Sequence, residues 1–293
     1  MFEDQPEVMA VCGRVCMAWR TITARYVHRS LHLYNTLCSP TEVLRFSQLS
    51  RAGMLRSMES VTVSGSSSDS RTNGSLAHVA RFVAMLAGNV PPALRELRLE
   101  RGEWTVENPG SLFFSLATFT PITRLKLDDV AFPSISVFGR LVCALSRLEK
   151  LHLSRVSFSD VEAPDPQSVF SHLTAPIITK LTLNNVAFPS VALFGRLVCA
   201  LSLFRLLDLA ARVTELTLNR VAFSSTDVFE RFVCALLHLE QLDLPDASFS
   251  DAQAPAPKSG LSVHLPTWIA NLTPTNTAFP SVSVFDRLRV YAL

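Results

Sequence analysis

Charge is scarce in this sequence. Asp, Glu, Lys and Arg make up 18% of its 293 residues, against roughly 25% in ordinary globular usage. The two signs nearly balance at a net +2, too little for electrostatics alone to drive binding to nucleic acid or to an acidic membrane. Glycine is also sparse, with 10 residues, and no Gly-Lys-Ser/Thr loop, Gly-x-Ser-x-Gly elbow or His-Glu-x-x-His pair occurs. None of the seven histidines has an evident partner. No apolar run attains the ~20 residues that a bilayer requires; even 191–209 is broken by Arg196 and Arg205. A secretory leader opens on positive charge, whereas this chain opens on Met1-Phe2-Glu3-Asp4. These absences predict a chain of the cytoplasm or nucleus, with no membrane or nucleic-acid partner, no cofactor, no metal and no catalytic residues.

Leucine and phenylalanine are abundant instead, at 42 and 19 residues, and they recur in a pattern. The segment Val130-Ala-Phe-Pro-Ser-Ile-Ser-Val-Phe-Gly-Arg-Leu-Val-Cys-Ala-Leu145 returns at 186–201, at 221–236 and, degraded, at 277–293. Measured on Ala131, Ala187, Ala222 and Ala278, the steps are 56, 35 and 56, the middle one short by 21 residues. Each longer unit holds two similar halves that open on a Leu-x-Leu strand pattern, at Leu125/Leu127, Leu151/Leu153, Leu181/Leu183, Leu207/Leu209, Leu216/Leu218 and Leu242/Leu244. Leu97/Leu99 extends the series upstream, with Val61/Val63 and Leu31/Leu33 as looser fits. Leu272 extends it downstream, with Pro274 in the partner slot, where it cannot donate to a ladder. Between strands, Phe138, Leu141, Val142, Leu145 and Leu148 fall on one helical face, with Arg140 and Arg147 opposite and Ser134 or Ser136 as the cap. His78 to Leu86 reads as an earlier helix of the same kind.

A strand–turn–helix unit of this length, with Leu-x-Leu on the strand, resembles the leucine-rich repeat. The resemblance is clearest from residue 55 onward. The fold class it implies is an α/β solenoid of about eight repeats over 31–293, with a parallel sheet on the concave face and helices on the convex one. Apolar Val130-Ala131-Phe132 replaces the usual Asn or Cys after the strand. Phe132, Phe158, Phe188, Phe223, Phe249 and Phe279 are then expected to stack inside the arc. The six residues between Leu209 and Leu216 are too few for a crossover between parallel strands. The solenoid is therefore expected to be irregular near 207–218, through a displaced strand or an interruption, and it reads as truncated at Leu293 for want of a polar cap. Cys143, Cys199 and Cys234 share one repeat position and are explained by register rather than pairing, while Cys12 and Cys16 lack a second pair at zinc-site spacing.

The N-terminal stretch carries a second resemblance. Val15-Cys16-Met17-Ala18-Trp19-Arg20, followed by an Arg/aromatic stretch and a Leu-x-Leu strand, looks like the second half of an F-box. The whole chain is similar to the F-box/leucine-rich-repeat proteins abundant in mushroom-forming (basidiomycete-type) fungi. The family's Leu-Pro opening has no counterpart in the eight residues before Met9, and Arg14 stands at a usually apolar position, so the segment over 1–30 is a partial, helical F-box. The resemblance implies that Val15, Cys16, Trp19 and Arg20 dock on the adaptor protein of a cullin–RING ubiquitin ligase, while the repeats capture a protein substrate. Two alternatives stay open: a stand-alone repeat scaffold, and a degenerate gene fragment. Trp19 also suits a plug at the end of the repeat core.

In a Leu-x-Leu strand the leucines point inward and their flanking residues point outward. This alternation nominates Arg98, Arg124, Lys126, Lys150, His152 and Lys180 as the partner-binding part of the concave face, giving way to Asp208, Glu215 and Asp243. The expected ligand has mixed polarity, its acidic portion over the basic residues.

Overall fold

A computed structural model describes residues 36–65, 74–106, 109–160, 176–186, 213–223, 238–249 and 271–275, with single positions at 229, 233 and 236. The chain divides into two units, Met1–Leu125 and Lys126–Leu293. Each is built on parallel strands that repeat one inward apolar pattern, the leucine-rich-repeat solenoid that the sequence predicts.

The first unit begins with β1 (Thr36–Leu37), α1 (Pro40–Arg51) and β2 (Ser60–Ser64). It continues through β3 (Gly74–Ser75), α2 (His78–Leu86), β4 (Glu96–Glu103) and α3 (Pro109–Leu116). Strand β2 lies between β1 and β4, pairing Leu37 with Val63, Val61 with Leu97 and Val63 with Leu99. All five side chains are buried to 1% exposure or less. Full burial of such a side chain contributes about 1.5–3 kcal/mol, so the inward rows hold the register. Leu37 fills the inward slot expected for Leu33; Leu31 and Leu33 lie outside the described residues.

Helix α1 follows from a local signal. Ser39 Oγ accepts the Glu42 N–H at 3.3 Å, Pro40 occupies the first turn, and the Glu42 carboxylate reaches back to the Cys38 N–H at 2.6 Å. Together these satisfy amides that a helix start leaves without partners. Phe46 of α1, Phe82 of α2 and Phe119 beyond α3 form a buried row, with ring centroids 5.9 Å apart at both steps.

In the second unit, the strand β5 (Arg124–Ser134, which begins at the end of the first unit) leads into α4 (Ile135–Ala144). After it come β6 (Lys150–Ser154), β7 (Ser157–Asp160), β8 (Lys180–Asn184) and β9 (Glu215–Asn219). The last elements are β10 (Ala222–Phe223), β11 (Gln241–Pro245), β12 (Ser248–Phe249) and β13 (Asn271–Thr275). The sheet order is β5-β6-β8-β9-β11-β13, with β7 on β5 and a separate β10–β12 pair. Ser134 caps α4, its Oγ accepting the Val137 N–H at 3.3 Å. The helix stops at Ala144 because Leu145 turns to ψ 78, so Leu145 and Leu148 reach the core from the turn that follows. Phe132 stacks on Phe158 at 6.1 Å, and Phe138 meets both edge-on. Phe223 and Phe249 are register partners, while Phe188 and Phe279 lie outside the described residues.

Strand β8 pairs directly with β9, Leu181 against Leu216 and Leu183 against Leu218. The ladder therefore crosses the 35-residue step in one repeat, as it crosses the 36 residues from Val63 to Leu99. Leu207 and Leu209 lie outside the described residues. Pro274 sits in β13 opposite Leu244, the last strand of the order, where a missing N–H leaves no inner ladder unpaired.

Six of the described strands, β4, β5, β6, β8, β9 and β11, end in the same way. The residue two past the second inward leucine has left-handed backbone: Arg101 (φ 50), Asp129 (58), Arg155 (51), Asn185 (50), Arg220 (52) and Asp246 (54). This bend turns the following residue inward, so that Val130, Val156, Val186, Val221 and Ala247 are all buried.

Candidate functional site

The alternation that buries the leucines leaves the intervening side chains on the opposite side of the sheet, where most are half-buried. Their positions are fixed by the ladder. Strands β4, β5, β8, β9 and β11 each start on a shared clasp, in which one carbonyl accepts two successive N–H groups. Thr179 O takes those of Thr214 and Glu215, and Thr214 O takes those of Glu240 and Gln241. Arg95 O does the same for Thr123 and Arg124 in the first unit.

In the second unit the rows run across the strands. One row carries Lys150, Lys180, Glu215, Gln241 and Asn271; the next carries His152, Thr182, Thr217, Asp243 and Thr273. A third begins with Ser154, Asn184 and Asn219. Lys180 and Glu215 are register partners, and their charges meet at 2.6 Å with each side chain 43% exposed. The Gln241 amide donates to Asp243 at 3.0 Å. Lys150 is exposed beside Lys180, whereas Lys126 and His152 are half-buried and engaged with other groups of the fold. Arg155 reaches back to Asp128 at 2.9 Å, and Arg220 approaches Asp246 at 3.6 Å. The expected basic-to-acidic progression is thus closely interleaved, since Glu215 neutralises the lysine next to it. Asp208 lies outside the described residues.

The first unit holds Arg98 and Arg124, and between them a neighbour on the same face that is covered rather than exposed. Glu96, which flanks Leu97 and so shares their face, is buried there, its side chain 5% exposed. The Arg98 Nε donates to Glu96 Oε1, and Arg124 Nε lies 3.7 Å from Oε2. Two guanidinium groups cover the carboxylate and exclude water from it, which no periodicity argument could anticipate. Val15, Cys16, Trp19 and Arg20 lie outside the described residues.

Other features are weaker. A cavity of about 210 Å³ is lined by Arg51, Arg56, Asn89 and Pro91, at helix C-termini whose carbonyls disfavour anions. Cys143 is a free thiol whose pKa burial pushes up to about 12, and burial foremost, then Glu42, raises that of Cys38. Among the described residues no group of three His, Cys, Asp or Glu could hold a metal ion, and no helix is long and apolar enough to cross a membrane.

No protein-family model and no curated protein matches the chain. Among solved structures it is similar to an internalin from Listeria monocytogenes, at 15% identity and a TM-score of 0.36. The match covers 83% of this chain and 54% of the internalin chain, so this chain spans about half of that protein's length.

Proposed function

We propose that this chain is a non-catalytic protein-binding module, and that it serves as the substrate-recognition subunit of a cullin–RING ubiquitin ligase in the cytoplasm or nucleus. The observation that carries the binding reading is the polar face of the sheet. Its side chains are held in rows by strands whose leucines are fully buried, which gives a partner a rigid surface at little ordering cost. The ligase reading rests on the resemblance of Val15-Cys16-Met17-Ala18-Trp19-Arg20 to an F-box. On that reading the N-terminal segment docks on the adaptor and the repeats hold the substrate. Transfer of ubiquitin belongs to other subunits, so this chain contributes proximity rather than chemistry.

Retention of the purified adaptor by the immobilised full chain tests the ligase half. Trp19→Ala with Arg20→Glu should lower retention by about tenfold or more, as expected for the loss of anchors in a small interface. Lys150→Glu, on the sheet, should leave it unchanged. No retention by the unaltered chain removes the ligase half and leaves a stand-alone repeat scaffold as the function.

A further inference from the structure

Within the binding reading, on which it rests, we infer that Arg98 and Arg124 form a preorganised seat for a carboxylate group of the protein partner, with Glu96 as the positioning residue beneath them. The side chains of Arg98 and Arg124 are each 40% exposed, while that of Glu96 is 5% exposed. Both arginines turn the same atom, Nε, toward the buried carboxylate. Among the described residues no other group bonds to either side chain, so the Nη groups of both retain their donors. A guanidinium presents its donors as a planar fork, and such forks match a carboxylate with two parallel bonds.

The backbone below the seat is fixed as well. The Glu96 N–H donates to Glu59 O at 3.0 Å and the Arg124 N–H to Arg95 O at 2.9 Å. Long arginine side chains normally lose rotamer freedom on binding; here Glu96 has already restricted them. Charge selects the occupant. The two guanidinium groups outweigh the one carboxylate beneath them, and a single Asp or Glu side chain matches the fork they present. A phosphoryl dianion would bring a second negative charge over a carboxylate shielded from water. The occupant assigned to the seat is therefore an acidic segment of a protein.

The test is fluorescence anisotropy of the full chain with three labelled peptides on one Gly/Ser background, bearing Asp and Glu, Asn and Gln, or phosphoserine. The acidic peptide should bind about tenfold more tightly than the amide one, the gain expected of charge-assisted bonds. Arg98→Lys and Arg124→Lys keep charge but lose the fork, and each should lose most of that preference at an unchanged melting temperature. Glu96→Gln is decisive, because it removes a negative charge while releasing both arginines. Weaker binding supports the seat, whereas tighter binding shows simple charge attraction and overturns it. Equal binding of acidic and amide peptides also overturns it, and tighter binding of the phosphoserine peptide overturns the choice of carboxylate. Since the adaptor assay depends on Trp19 and Arg20, failure here with adaptor retained sinks the seat alone.

Discussion

Gly65 in the first unit and Asn185 in the second occupy the same place in their repeats, two residues past the second inward apolar side chain of a strand. Each donates its N–H to the next strand, Gly65 to Glu100 O and Asn185 to Asn219 O, both at 2.8 Å. Their backbones differ in an unexpected sense. Asn185 is left-handed, at φ 50, a conformation that costs most non-glycine residues roughly 1–2 kcal/mol and Asn less. Gly65, which could adopt it freely, does not. Space explains the exchange. A Cβ on Gly65 would lie 2.1 Å from Arg101 O, 2.8 Å from Gly74 O and 2.9 Å from Gly102 Cα, all backbone atoms. Asn185 is exposed and meets no such crowding. At this position glycine is retained for close approach, while left-handed strain is tolerated because it keeps a hydrogen bond and delivers the next residue, Val186, to the core.

The comparison breaks most visibly at Gly65. Gly65→Ala should destabilise the chain by about 3 kcal/mol, the upper part of the range for overpacking, because backbone rather than a flexible side chain must yield. Urea unfolding measures this, and a midpoint equal to the parent's would mean that space is not the reason for glycine. A smaller effect belongs to Asn185. Asn185→Val should cost about 2 kcal/mol, since a branched side chain fits a positive φ poorly, whereas Asn185→Gly should cost nothing or stabilise slightly. If the glycine variant loses as much as the valine one, the Asn185 side chain matters and backbone strain does not.

These two positions also mark how far the sequence alone reaches. Strand leucines are legible because burial of Leu181 or Leu216 depends on a two-residue alternation within one strand. Helix α2 is legible from His78 to Leu86 for the same kind of reason, a periodic face. The start of α1 was equally legible in Ser39-Pro40-Thr41-Glu42, a capping signal that apolar periodicity passes over. Glu96 was not, because its burial depends on Arg98 and on Arg124, which comes from another strand. The left-handed row is half-legible. A polar residue recurs two places past six of the leucine pairs, but Arg101, Arg155 and Arg220 have no intrinsic leaning to positive φ, so only the fold reveals the bend.

Arg155 offers the smallest effect and separates strain from electrostatics. It is left-handed like Asn185, at φ 51, yet its guanidinium also meets Asp128 at 2.9 Å. The two side chains are 49% and 39% exposed, although the Asp128 oxygen facing Arg155 is covered, and pairs exposed to this degree contribute about 0–1 kcal/mol. Arg155→Asn loses that contribution while easing the backbone, since Asn tolerates positive φ better. The two changes oppose each other, and the net shift should stay within about 0.5 kcal/mol, as for ordinary surface substitutions. Salt resolves them. Added NaCl should narrow any advantage of the parent over the variant, because screening removes the ion pair and leaves the strain untouched. A double-mutant cycle with Asp128→Asn should return a coupling of about 1 kcal/mol or less. A coupling well above that would make the charge pair, rather than the retained N–H bond and the buried residue after the bend, what holds Arg155 in its conformation.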